Sequence, residues 1–362
     1  MVSRLLFLLI LSFSVGAWPL VSSAEMTVGG ELEFIHPKVK PSGEFGLKGH
    51  EETMAEIFSF ELQERCLELG CTEEKVAGKW GEESRFTFTD GFWIQVSWDP
   101  SVVEILTKPL KLSVLRKLAP KMQEAIFKTA ERAGLVVSPK RAGHFNFGAN
   151  ASFGGDANLF VKFIVDYSNH TELATGILRE ANLMTAPPLA ALKLAQRVEL
   201  AKHANIDYSG KSIAEVSQIL IDSVFHKTVR ENLTQDWSVH NQALGLKKVP
   251  DATSDVDQPM EARAVRSQNS IFDLVLLGEL FEARIAYLKT RKVALSEELV
   301  SEEKPRLEFS SQELVDRFYL YVTESGLAWS RYQALLPEGL RKLQPTLRAS
   351  PNLRALRCEA AF

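Results

Sequence analysis

The stretch Val28-Gly29-Gly30-Glu31-Leu32-Glu33-Phe34-Ile35-His36-Pro37 decides how this chain folds. Side chains on a strand alternate between faces, so Glu31 and Glu33 share one surface while Leu32 and Phe34 share the other. Two neighbouring carboxylates repel unless a cation neutralises them. The pair therefore reads either as half of a hard-metal site built from oxygen ligands or as the solvated acidic face of an ordinary strand. Recurrence of the same arrangement in later strands favours the metal site.

Those later strands carry their polar groups in the same way. Arg85-Phe86-Thr87-Phe88-Thr89 alternates polar with apolar, Asp90-Gly91 marks a hairpin turn, and Phe92 to Trp98 returns as the second strand. Residues 99–110 hold Glu104 inside a β-branched apolar run, where a buried acid needs a partner. Ala142 to Gly148 places His144 and Asn146 on one face and aromatic rings on the other, with glycines that allow close approach of a ligand. Met260-Glu261-Ala262-Arg263-Ala264-Val265-Arg266 sets Glu261 and Arg263 side by side. The expected fold class is α+β: residues 28–36, 85–98, 102–107, 143–148 and 260–265 form one mainly antiparallel sheet with helices on its apolar face.

Helical periodicity supplies the cover. It predicts helices over residues 50–69, 111–134, 156–169, 171–182, 187–204, 213–232 and 271–290, and a last one beginning near Ser311. Residues 250–259, rich in Asp, Ser and Thr, read as a loop, and residues 295–307 as a charged segment.

The formal net charge of −4 comes without a basic run or an aromatic-interleaved basic patch, so nucleic acid is not an expected partner. The three cysteines, Cys66, Cys71 and Cys358, are too few for a disulfide scaffold and lack metal-type spacing. Cys66 and Cys71 are close enough in sequence for a local disulfide, though nothing requires one. Residues 1–24 carry Arg4, an apolar run from Leu5 to Val15 and the small residues Ser22-Ser23-Ala24, the layout of a secretory signal peptide. The apolar run is too short for a membrane anchor. Cleavage after Ala24 would leave an exported chain, the bacterial periplasm being one natural home; a start at Met26 would instead leave a cytoplasmic one. Residues 25–362 are expected to form one large α+β domain with a helical C-terminal region from about residue 295 to 362.

Taken in order, Gly30-Glu31-Leu32-Glu33, Glu104 ahead of Pro109-Leu110, Gly143-His144-Phe145-Asn146 and Glu261-Ala262-Arg263 before an apolar helix resemble the motifs of the glutamine synthetase and glutamate-cysteine ligase superfamily, closest to its amidoligase branch. The resemblance spans about residues 26–290 and lies in order and spacing. It implies a glutamine synthetase-like catalytic sheet whose polar face binds ATP and Mg2+ or Mn2+, and an enzyme that joins an amine to a carboxylate through an acyl phosphate. It further implies that Glu31, Glu33, Glu104, His144 and Glu261 hold the metal and that Glu261 and Arg263 serve catalysis. Asn146, with Arg85 and Asn241 as weaker candidates, would contact substrate or nucleotide. The substrate would be a small molecule or peptide bearing a carboxylate, an amino acid or peptidoglycan fragment among them, with an amine as co-substrate. Two departures stand out: Ala262 and Ala264 are small, and no arginine-rich loop follows.

Overall fold

A computed structural model of the chain describes residues 25–38, 50–79, 81–99, 102–137, 142–170, 172–173, 192–225, 243–253, 257–291, 300–301 and 309–346. The strands are β1 Thr27–Ile35, β2 Cys71–Ala77, β3 Glu82–Phe88, β4 Trp93–Asp99, β5 Val102–Thr107, β6 Leu110–Lys111, β7 Val136–Val137, β8 Ala142–Gly148, β9 Leu244–Gly245 and β10 Pro259–Arg266. All ten join one sheet in the order β2-β3-β4-β5-β1-β8-β10-β9, with β6 and β7 also paired to β1. Every pairing is antiparallel. The α+β expectation is met, and β1 lies in the middle of the sheet.

The apolar face follows the alternation. Val28, Leu32 and Phe34 of β1, Val103 and Ile105 of β5, Phe145 and Phe147 of β8, and Met260 and Ala262 of β10 are all buried. Helix α1, His50–Leu69, lies against β4 and β5 on this face. Helix α2, Leu112–Gln123, runs through a π turn at Glu124–Lys128 into α3, Thr129–Arg132, so the long helix expected over 111–134 is present with a widened turn inside it. Then follow α4, Ala149–Phe153, α5, Ala157–Asn169, α6, Leu194–His203, and α7, Ile213–Leu220. Helix α8, Ile271–Lys289, packs on β8, α2 and α5. Helix α9, Ser311–Glu324, and the short α10, Trp329–Tyr332, close the described chain. Residues 171 and 174–182 of one expected helix, 187–191 of the next and 226–232 of another lie outside the described residues.

Phe281 of α8 holds the layers together. Its ring centroid stands 5.2 Å from Phe145, 5.7 Å from Phe147 and 5.8 Å from Phe163 of α5. Burying each such ring contributes about 1.5–3 kcal/mol. Gly30 lets α8 come close to β1, because a Cβ there would sit 3.0 Å from Leu274 Cδ1. Among charged groups, Arg284 of α8 donates two hydrogen bonds to Asp166 of α5, at 2.8 and 2.6 Å, with both side chains buried. Cys66 and Cys71 form a disulfide across the turn from α1 to β2, their Cα atoms 4.6 Å apart. Cys71, just past the helix expected over residues 50–69, opens the edge strand β2. Among the described residues, no helix is long and apolar enough to cross a membrane.

Candidate metal centre

Residues directly opposite in an antiparallel sheet point to the same face, so the register arranges the polar face in rows. One row runs Gly29, Asn146, Glu261, Gly245 across β1, β8, β10 and β9. The next carries Glu31, with His144 on one side and Leu106, Gln95 and Arg85 on the other. A third pairs Glu33 with Glu104 and Glu104 with Ser97. The period-two spacing of acids in the sequence thus becomes a block of acids on adjacent strands.

A β-bulge completes the block. The β8–β10 register passes from Ala262 opposite Phe145 to Val265 opposite Gly143, so His144 faces two residues, Arg263 and Ala264. Such an extra residue bends the strand and re-aims side chains beside active sites. Here the guanidinium swings back: Arg263 Nη1 donates to Glu261 Oε2 at 2.8 Å. A Cβ at Gly245 would stand 3.1 Å from that same Glu261 oxygen, so glycine keeps the carboxylate unobstructed.

Glu31, His144 and Glu261 each bring a potential ligand atom within 4.8 Å of the others. His144 Nδ1 donates to Glu31 Oε2 and lies 3.2 Å from Glu261 Oε1, while Asn146 Nδ2 donates to Glu31 Oε1 at 3.3 Å. Burial disfavours charge on His144, but the Glu31 and Glu261 carboxylates overcome it and raise its pKa well above the usual value. Burial likewise opposes ionisation of Glu31 and Glu261, yet the imidazolium holds Glu31 below the ordinary carboxylate range and, with Arg263, holds Glu261 well below it. For Glu104, burial, with Glu31 nearby, outweighs the His144 charge and pushes it up to about 8. The His144 imidazolium and the Arg263 guanidinium are the cations beside these carboxylates.

Of the expected ligands, the structure brings Glu31, His144 and Glu261 together. Glu33 and Glu104 lie one row away, and Arg263 and Asn146 border the cluster. Arg85 sits on β3, three strands from Glu31. Asn241 falls outside the described residues. The donor set of carboxylate oxygens with one imidazole suits Mg2+ or Mn2+. Arg263 Nε is buried without a hydrogen-bond partner, which fits a cradle completed by an anion.

Sequence reading passes over Glu83, Gln95 and Ser97 on the same polar face. Glu83 Oε1 accepts from Ser97 Oγ at 2.8 Å and its Oε2 accepts from Gln95 Nε2 at 2.6 Å. The signal available for Gln95 and Ser97 is that of Glu31 and Glu33, polar side chains at i and i+2 in an apolar strand. No protein-family model and no curated protein matches this chain.

Proposed function

We propose that the chain is a divalent-metal- and ATP-dependent carboxylate-amine ligase. The observation that carries this reading is the convergence of Glu31, His144 and Glu261, with Arg263 bonded to Glu261 at the cluster's edge. Glu31, His144 and Glu261 would hold Mg2+ or Mn2+, with oxygen ligands from Glu33 and Glu104 beside them. The bound ion supplies neutralisation of the polyphosphate charge.

The protein groups then have separate tasks. Arg263, largely buried and fixed by Glu261, presents a planar fork to phosphate oxygens where negative charge shifts during transfer. Asn146 orients Glu31 and stands beside the substrate. In the reaction, a substrate carboxylate oxygen bonds to the terminal phosphorus as the bond to the ADP oxygen breaks. An amine then bonds to the acyl carbon, phosphate leaves, and the amine loses a proton.

The leader-like residues 1–24 and the Cys66–Cys71 disulfide both favour an oxidising compartment outside the cytoplasm. ATP is scarce there, which supports a second reading: an exported metal-dependent amide hydrolase or transferase that needs no nucleotide, or a homologue that only binds metal or peptide. One assay separates these readings. The chain is incubated with ATP, Mg2+ and a panel of amino acids and peptidoglycan peptides while phosphate and amide are followed. The ligase reading expects phosphate release that requires both a carboxylate and an amine. Metal binding without phosphate release for any panel member would overturn it in favour of the second reading.

A further inference from the structure

The polar face extends past the metal cluster toward β3, and its far end is built. Glu83 is buried and, being an acceptor, fixes the Gln95 amide with its Nε2 inward. The Gln95 oxygen therefore faces Arg85 and accepts from Arg85 Nε at 3.2 Å and Nη2 at 2.8 Å. The guanidinium lies over the Trp93 ring, 4.8 Å from its centroid. Ser97 Oγ and the Lys79 backbone N–H hold Glu83 from the other side, at 2.8 and 3.1 Å. Arg85 is thus locked by stacking and by one edge of its fork. Its Nη1 makes an ion pair with Glu74 at 3.8 Å, longer than a hydrogen bond, between side chains 32% and 57% exposed, a contact that a substrate carboxylate can displace.

Between this cation and the metal cluster the row carries one apolar side chain, Leu106, and Gln95. Leu106 sits in the same row as Glu31, Gln95 and Arg85, and it is partly exposed on the polar face. Three strand spacings separate β1 from β3, roughly 14 Å. That span is wider than the separation of the two carboxylates in one acidic amino acid.

We infer that Arg85 anchors a second carboxylate of the substrate, and that the substrate is an elongated dianion with an aliphatic or peptide-like middle lying over Leu106 and Trp93. Which end reacts rests on the ligase reading: the carboxylate at the metal cluster is activated and the one at Arg85 only positions it. A guanidinium suits this task because its planar edge gives two parallel hydrogen bonds to a carboxylate. Gln95 and Glu83 are positioning residues that aim the fork.

The test uses straight-chain dicarboxylates from glutarate to sebacate, each beside the monocarboxylate of equal length, titrated into the Mg2+-loaded full chain by calorimetry. The wild type is expected to prefer one diacid length, binding it at least tenfold more tightly than its monocarboxylate. Arg85→Gln should abolish that preference and Arg85→Lys should restore part of it, with Mg2+ affinity equal in all three proteins. Equal binding of diacid and monoacid by the wild type, or an unchanged preference in Arg85→Gln, would overturn the inference. Diacid preference lost in Arg85→Gln, in a protein that releases no phosphate from ATP, would uphold the subsite and overturn only the ligase reading.

Discussion

Glu33 and Glu104 stand directly opposite one another in the β1–β5 pair, both largely buried. Like charges in that relation are destabilising in a sheet. The conflict is relieved in the metal-free chain by a proton, since Glu104 is pushed up to about 8 by burial and by Glu31. A divalent cation held beside the pair, as proposed, would relieve the same conflict.

A pH dependence follows with a definite sign. Between the ordinary carboxylate value of 4.5 and about 8, the folded chain keeps a proton on Glu104 that the unfolded chain has released. Stability without metal therefore falls as pH rises through that window. Thermal melts in a chelator should show the decline, and Glu104→Gln should reduce it and raise the melting temperature by several degrees at pH 8–9, leaving the part above pH 6.5 to which His144, also raised, contributes with the same sign. Mg2+ titrated at pH 7 should release protons, detected as a binding heat that varies with the ionisation enthalpy of the buffer.

Replacing Arg263 by Lys separates binding from turnover. An ammonium keeps the charge but cannot give the two-point contact of the fork. Nucleotide affinity should stay within a few-fold, while kcat for phosphate release falls by about 10²–10³. Parallel loss of both would mean that Arg263 serves the fold or ground-state binding.

The strands bearing the site were legible because alternation is a strong signal: Glu31 with Glu33, His144 with Asn146, and Glu261 with Arg263 each share a face as their spacing requires. The cross-strand register was not legible, and it is what separates the Glu31, His144 and Glu261 trio from Glu33 and Glu104. Nor was the bulge that sets Arg263 opposite His144, since it depends on a one-residue mismatch between β8 and β10. Edge strand β2 was not legible because Glu73, Glu74 and Lys75 interrupt the apolar alternation of a strand, whereas charges protect a sheet edge from further pairing. The Asp166–Arg284 pair did leave a trace: a lone acid and a lone base inside apolar helices each call for a buried partner.

That pair carries a stability prediction. Arg284→Met strips Asp166 of its forked partner in a buried setting and should cost about 3–5 kcal/mol in urea unfolding. Adding Asp166→Leu should recover much of the loss, since the uncompensated charge is then gone.

The disulfide closes a short loop, so its contribution is modest. Cys66→Ser with Cys71→Ser should lower stability by about 1–2 kcal/mol. Mg2+ affinity should be unchanged, because both cysteines lie far along the sheet from β1. Calorimetry beside chemical unfolding checks both parts.

The most direct measurement of the central claim is a Mn2+ titration followed by electron paramagnetic resonance, with and without ATP, on the wild type and on Glu31→Gln and Glu261→Gln. The wild type should quench the free-ion signal, ATP should tighten binding, and each substitution should weaken it at least tenfold without unfolding the chain. A free-ion signal unaffected by the wild-type protein, with or without ATP, would contradict the claim.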